Sequence, residues 1–373
     1  MKNILFVSHS NLMAGAETVM LAGLRAISRS AESGALYVLF PKGKEMLFKQ
    51  ALNGIIPAGN CLSLPYKCLR GSLPHFLIVL LFNACSILRL CLFVKKHRID
   101  IIYSNTSVTC IGIITAILSQ KTHIWHIHES TGFDDIFTDK KLSCIYNYLM
   151  NYKNNTTVFI SNTQRKEWEE YLERPIRTSP IIYNPVKQTG RQCGRKQDGI
   201  VVYGYLGSFS KRKNIAMLVE VFYELHKTFP NTKLLMGGDG ELRESIKETI
   251  KKHSLEDAAL LLGQISDAEL FYSSIDVCVL PSLRETWGLV TLEAMACCKS
   301  VIITIHTGLR EIFEPDVDCI FIDPLDKTAL YNAMERLLDA GCRETLAANG
   351  YNKLRRHDFN ANFSKQFCGL FFA

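Results

Sequence analysis

The sequence predicts an α/β protein made of two doubly wound, Rossmann-like domains that face one another. Length is the first observation behind this: 373 residues exceed one ordinary domain and suit two. Alternation is the second: short apolar, β-rich runs trade places with helical patterns from end to end, as in parallel sheets covered by helices. The third is a break. Residues 187–199, "KQTGRQCGRKQDG", are polar, contain glycine and lack periodicity, so they read as a linker. The division expected is 1–187, 188–355, and a segment 356–373 that is aromatic and apolar enough to pack back on the first domain.

The opening "MKNILFVSHSN" has too short an apolar run for a secretory signal and reads as a first buried strand at 4–8. Strands follow at 35–40, 101–103, 124–128 and 157–160. Residues 73–94 are strongly apolar but interrupted by Pro74, His75, Asn83 and Arg89, with Lys95, Lys96, His97 and Arg98 just beyond. A spanning helix and a buried or membrane-apposed one are both readings, and the interruptions favour the second. Beyond the linker, strands are expected at 200–204, 233–236, 259–262, 277–280, 301–304 and 319–322. In such sheets ligands lie past the carboxyl ends of the strands, so the gap between the two domains is the expected site.

Apolar content of 47% and charged content of 21% fit a globular chain with ample core. The 13 cysteines are odd in number and form no C-x-x-C pair. Several, including Cys85, Cys91, Cys278 and Cys297, lie in apolar runs, which reads as buried free thiols in a reducing cytoplasm. Residues 1–187 carry 21 Lys/Arg against 12 Asp/Glu, whereas the remainder carries 22 against 24. The basic half is either a solvated surface or one that meets anionic lipid or a polyanionic acceptor. Nucleic acid is disfavoured, because no helix-turn-helix, zinc or aromatic-basic signature is present.

The candidate chemistry lies at strand ends. "PSLRETWGLVTLEAM", residues 281–295, sets Glu285 and Glu293 either side of a seven-residue spacer. On one helix, eight steps of roughly 100° would leave them about 80° apart, on no shared stripe. A loop glutamate followed by a helical one fits better, with Thr286 as N-cap and Leu289, Leu292 and Met295 or Ala296 as the apolar face. Amides near Gly288 and Leu289 would then form an anion site, and two acids beside it suit a ligand bearing hydroxyls and phosphate. "GYLGSFSKRKN" ends a strand at Gly207 and brings Lys211, Arg212 and Lys213 to a helix start, a set suited to diphosphate or simply a solvated basic turn. "MGGDGE", which contains Gly238, is a further strand-end glycine turn but not a dinucleotide fingerprint.

In the first half, "SHSNLMAGAE" leads from a strand into a helix, with Gly15 giving a ligand access to the backbone. "IWHIHE" puts His126 and His128 on one side of a strand beside Glu129. A polar, catalytic strand end and a core histidine pair both remain open. A metal is disfavoured, since no further ligand follows at metal spacing.

Together, in this order, these stretches resemble family 4 glycosyltransferases, retaining enzymes of the GT-B fold and here of the bacterial surface-polysaccharide type. The resemblance is carried by "GYLGSFSKRKN", "MGGDGE", "LGQISDAEL", "IDVCVLPSLRETWGLVTLEAMAC" and "TIHTGLREI", and more weakly by "AGAE", "HIHE", "ISNT" and "YNPV". It implies that Glu293 binds the nucleotide ribose and that Glu285 lies by the donor sugar. It also implies that amides at Gly288 and Leu289 hold phosphate or sugar oxygens and that Lys213 neutralises the leaving diphosphate. Gly15, Gly207, Ser208, Arg212 and Gly238 complete the donor set, and Gln264 and Ile265 touch the base. His128 would sit near the reacting carbon, with Glu17, His126 and Glu129 towards the acceptor.

Three positions depart from the family pattern. Ser208 stands where an arginine is usual, leaving Lys211 or Arg212 as its replacement; Ala14 and Cys319 stand where glycines are usual.

The implied reaction moves a sugar from a nucleotide-sugar to a glycan or lipid-linked acceptor, such as a polyprenyl-diphosphate glycan. It would occur in the cytoplasm, at a peripheral anionic membrane surface. Lys213 and a helix N-terminus would stabilise the departing diphosphate, so neither a metal ion nor a cofactor is expected. Lys213 is expected to face the two glutamates across the interdomain gap. The competing class is a sugar-nucleotide-binding or scaffold protein of the same fold, supported by Ser208.

Overall fold

The computed structural model describes residues 1–43, 47–69, 72–131, 139–186 and 199–372; the linker read at 187–199 lies outside them except for its last glycine. The chain forms two compact units, Met1–Pro185 with Asn360–Ala373, and Val186–Phe359.

The first unit begins with β1 (Lys2–Val7), α1 (Gly15–Ser28), β2 (Ser33–Pro41), α2 (Leu47–Ala51), β3 (Cys61–Leu64) and α3 (Leu73–Lys96). It continues with β4 (Ile101–Asn105), α4 (Cys110–Ser119), β5 (Thr122–Ile127), α5 (Lys141–Met150), β6 (Asn155–Phe159) and α6 (Asn162–Leu172). The strands pair in parallel in the order β3-β2-β1-β4-β5-β6.

The second unit holds β7 (Val201–Leu206), α7 (Ile215–Thr228), β8 (Thr232–Gly237), α8 (Arg243–Lys252), β9 (Ala259–Gly263) and α9 (Ala268–Ser273). After these come β10 (Val277–Leu280), α10 (Leu289–Ala296), β11 (Ser300–Thr304), β12 (Ile320–Ile322), α11 (Lys327–Arg336) and α12 (Ala340–His357). Its parallel order, β12-β11-β10-β7-β8-β9, repeats the winding of the first sheet.

Strands β4, β10 and β11 are buried along their whole length, as sheets covered on both faces require, and this is why they read as unbroken runs rather than alternating ones. In each sheet the order reverses at one seam, between β1 and β4 and between β7 and β10. Loops leaving the carboxyl ends of these strand pairs diverge and open a crevice.

Every strand expected from the sequence is present. The structure adds β3, a four-residue, mostly half-exposed strand at the sheet edge.

The last helix, α13 (Phe359–Phe372), carries Phe363, Phe367 and Phe371 four residues apart, all buried. Phe367 occupies the space a Cβ on Gly23 would need, 2.5 Å from its ring, so the glycine lets α13 lie close to α1. Phe371 stacks on Phe6 with centroids 5.8 Å apart.

Helix α3 packs Phe76, Val79, Leu90 and Val94 inward and leaves leucines outward. Cys85 is exposed on that outer side and Cys91 half-buried, which corrects their reading as buried thiols; Cys278 and Cys297 are buried.

Candidate functional site

In the second unit the seam between β7 and β10 gathers the residues singled out at 207–213 and 281–293. The chain leaves β7 through Gly207 and forms a 3-10 turn at Lys211–Lys213. It leaves β10 through the 281–288 loop and enters α10. The two loops are tied together: Leu283 donates its amide to the Arg212 carbonyl (2.9 Å), and Asn214 Nδ2 donates to the Pro281 carbonyl (3.2 Å). A third loop braces them, since the Glu285 amide donates to the His306 carbonyl at 2.8 Å.

This bracing brings Lys213 Nζ to 2.5 Å from Glu285 Oε2, with both side chains nearly buried. The pair lies wholly within the second unit, which corrects the expectation that Lys213 faces the glutamates from across a gap. Burial pushes the Glu285 carboxyl up, but the charges of Lys213 and Arg212, with hydrogen bonds from Lys213 and Ser282, outweigh it and hold the carboxyl below its ordinary range. Arg212 thus supplies a second positive charge near the site, whereas Lys211 is exposed. Ser208 is also exposed, and its carbonyl accepts from the Tyr205 hydroxyl at 2.7 Å.

Thr286 is not the cap of α10. Gly288 is, with φ +80°, a left-handed conformation that favours glycine. A Cβ there would approach Ile303 and Thr291 to 3.1 Å and Glu285 Cγ to 3.4 Å. The glycine therefore sets the start of α10 directly against Glu285. The first amides of a helix have no intrahelical acceptor, so an anion at this point meets donors and the positive end of the helix dipole.

Glu293, one turn further on, is held by Tyr272, whose hydroxyl lies 3.0 Å from Oε2. Gly238, at φ +130°, abuts Gly207: a Cβ would fall 1.8 Å from the Gly207 carbonyl oxygen, so the end of β8 reaches that of β7 because Gly238 lacks a side chain. Gln264 is exposed past β9, and Ile265 packs over Gly237.

In the first unit the seam between β1 and β4 is equally polar, but its residues play other parts than those expected. Glu17 is fully buried and cannot line an acceptor surface; its Oε1 lies 2.8 Å from His9 Nδ1 and accepts from Ser8 Oγ at 3.1 Å. His9, which the sequence reading passed over, is the partly exposed member of that pair.

His126 is also fully buried, with Nδ1 2.7 Å from the Tyr103 hydroxyl, and burial drives its pKa down to about 3. It is a core histidine and not a ligand contact. His128 is half-buried, its ring 4.3 Å from that of His126, and burial together with His126 and His9 holds it neutral.

Glu129 Oε2 accepts from the Ser107 amide and hydroxyl at 2.9 and 2.8 Å, so it organises the loop after β4. Asn105, also missed, is fully buried with neither amide atom hydrogen-bonded. Gly15 is exposed at the start of α1, after Ala14 in an extended conformation (φ −132°) open to any residue. No three His, Cys, Asp or Glu side chains converge as metal ligands among the described residues.

Comparison with known proteins places this geometry. Residues 187–354 match the family model described as glycosyl transferases group 1. The chain is 24% identical over 304 residues to an uncharacterised glycosyltransferase of Methanocaldococcus jannaschii, covering 76% of this chain and 78% of that one. It is 25% identical over 308 residues to the UDP-Gal:α-D-GlcNAc-diphosphoundecaprenol α-1,3-galactosyltransferase of Escherichia coli, covering 75% and 79%. Among solved structures, Anabaena HepE in complex with UDP and glucose superposes with a TM-score of 0.80 at 18% identity, over 99% of both chains. Residues 187–354 are thus similar to the glycosyl transferases group 1 family, and the chain as a whole has the two-domain GT-B fold of the solved glycosyltransferases it superposes on.

Proposed function

We propose that the protein transfers a sugar from a nucleoside-diphosphate sugar to a glycan or lipid-linked acceptor during assembly of a surface polysaccharide, with retention of configuration and without a metal ion. The observation that carries this reading is the Lys213–Glu285 pair beside the Gly288-capped start of α10, at the seam of the second sheet. The Escherichia coli relative, named for transfer of galactose to a diphosphoundecaprenol-linked sugar, supports the donor and acceptor classes. The reading places the enzyme in the cytoplasm, peripheral to an anionic membrane face.

In this reading the donor diphosphate enters between Lys213 and the first amides of α10, and Arg212 adds charge in place of an arginine at Ser208. Breaking the sugar C1–O bond sends its electron pair to the diphosphate oxygen, where Lys213 and the helix dipole stabilise it, while the acceptor hydroxyl oxygen forms the new bond to C1 and its proton leaves with the diphosphate. Glu285, ionised by its cationic neighbours, offsets positive charge on the sugar. Glu293 binds the ribose hydroxyls, and Gly207, Gly238, Gln264 and Ile265 shape the nucleotide side. Within the first unit, neutral His128 is the hydrogen-bonding group of the seam after β5, and His9, held by Glu17, takes the acceptor-side role expected of Glu17.

The test is turnover. UDP-, GDP-, ADP- and dTDP-sugars are incubated in EDTA with an undecaprenyl-diphosphate-linked sugar, and nucleoside diphosphate release is followed. One donor class is expected to be consumed with retained anomeric configuration, and Lys213→Ala to slow it at least ~100-fold. Restoration only by a divalent ion would refute the metal-free reading. A wild type inert with every donor, yet able to bind one, would favour the scaffold reading that Ser208 supports.

A further inference from the structure

Helix α3 turns its polarity inside out. Its outward face carries Leu77, Ile78, Leu81, Phe82, Leu88 and Leu92, with Leu81 77% and Leu92 69% exposed. Its inward face buries two polar residues instead. Asn83 exchanges hydrogen bonds with the Lys67 amide and carbonyl, both 2.9 Å, and Ser86 Oγ donates to the Pro65 carbonyl at 2.6 Å. These bonds, with Phe76, Val79, Leu90 and Val94 packed beneath, fix the rotation of the helix and hold the leucines outward. At roughly 100° and 1.5 Å per residue the six exposed apolar side chains cover an arc of about 140° along about 23 Å of the helix. A helix resting on water would show the reverse pattern, and a contiguous apolar face of this size marks an interaction surface.

We propose that this face of α3 is a bilayer-docking surface that inserts its leucines among the acyl chains of an anionic leaflet, the helix lying along the interface. Charge selects this occupant. Residues 73–98 contain no Asp or Glu, while Arg89 lies within the apolar arc and Lys95, Lys96 and Arg98 stand at the helix end. Lys67 flanks the arc with its Nζ 4.8 Å from the centre of the Phe82 ring. Basic side chains bordering an apolar stripe meet anionic headgroups while their stems stay in the apolar layer. A second copy of the same helix would bring no acid to pair with these cations. Spanning is excluded by the inward face, which is part of the core of the first unit. The proposal rests on the peripheral-membrane part of the proposed function and not on its transfer chemistry.

The experiment is co-sedimentation of the full chain with phosphatidylglycerol and phosphatidylcholine vesicles. The wild type is expected to bind phosphatidylglycerol in a salt-sensitive manner, and Leu81→Gln/Leu88→Gln to bind at least tenfold more weakly with an unchanged melting midpoint. Lys95→Gln/Lys96→Gln is expected to lose the preference for phosphatidylglycerol over phosphatidylcholine. A wild type that ignores both vesicles, or a leucine double variant that binds as wild type does, overturns the proposal. A wild-type dimer that the leucine variant dissociates, with vesicle binding unaltered, overturns it in favour of a second copy. The midpoint rise given by UDP-, GDP-, ADP- and dTDP-sugars is recorded alongside: its absence in a wild type that still binds vesicles would count against the transferase reading and leave the docking face standing.

Discussion

Lys213 and Glu285 each take the place of the water the other has lost. Breaking a nearly buried pair from one side strands a charge, which costs more than removing both partners. Lys213→Met is therefore expected to destabilise the protein by about 3 kcal/mol, and Lys213→Met/Glu285→Gln to recover most of that loss in urea titrations. Because the Glu285 pKa is lowered in the folded state, the stabilisation is present above the ordinary carboxylate range and disappears as pH falls through the lowered value. The difference between wild type and double variant should shrink in that acid window; a difference independent of pH would contradict the ion pair. Gly288→Ala should cost about 1–2 kcal/mol in the same titration, because alanine resists φ +80° and its Cβ meets Ile303 and Thr291, and should lessen the midpoint rise given by a nucleoside-diphosphate sugar in thermal melting. The glutamate pair was legible in the sequence because its spacing fits no single helix. The cap was not: Thr286 has the right chemistry, but the chain reaches left-handed geometry at Gly288 two residues later. Nor could spacing reveal that Glu17 is fully buried and leaves His9 as the exposed partner.

Strand β5 and the turn after it carry His123, His126 and His128. His123 lies between Asn155 Oδ1, 2.6 Å from Nδ1, and Ser104 Oγ, 2.8 Å from Nε2, and burial lowers its pKa to about 4 despite the Asn155 bond. With His126 at about 3, both rings stay neutral in the fold while the unfolded chain protonates them near 6.5. Stability from these two groups is therefore complete above pH 6.5 and lost as pH drops from there towards 4 and then 3. His128, also held neutral, adds to this, so between pH 7.5 and 5.5 the loss should be about 4 kcal/mol, measured by urea titration, with uptake of about three protons on unfolding. A flat profile would show that the rings are protonated in the fold. At this scale the sequence was a good guide to strands, because buried parallel strands are continuous apolar runs. Strand β3 escaped because "CLSL" is short, lies at the edge and has no β-branched residue. The outward leucines of α3 escaped too, since apolar content marks a helix without saying which side faces the core.

The two units repeat one winding, and the seam of each sheet gathers the polar residues of its half. The chain returns to the first unit through α13, whose Phe367 fills the space above Gly23. Phe367→Ala should destabilise that unit by about 3–4 kcal/mol, read by thermal or urea melting; a smaller loss would show α13 to be loosely held. Architecture was readable from the alternation of elements, and the return of the terminal segment from its aromatic composition, although the return starts at Asn360 and residues 356–359 stay with the second unit. The family match, in contrast, covers only 187–354, where strand-end glycines and charges coincide with the site. In the first unit burial, which spacing does not show, decides the parts of Glu17 and His126. The central claim, a nucleoside-diphosphate sugar held by Lys213, Glu293 and the origin of α10, is tested most directly by thermal shift with UDP-, GDP-, ADP- and dTDP-sugars. One class of donor should raise the wild-type midpoint by binding the native state, and Lys213→Ala and Glu293→Ala should abolish the rise. A rise that survives in both variants, or no rise with any donor, would contradict it.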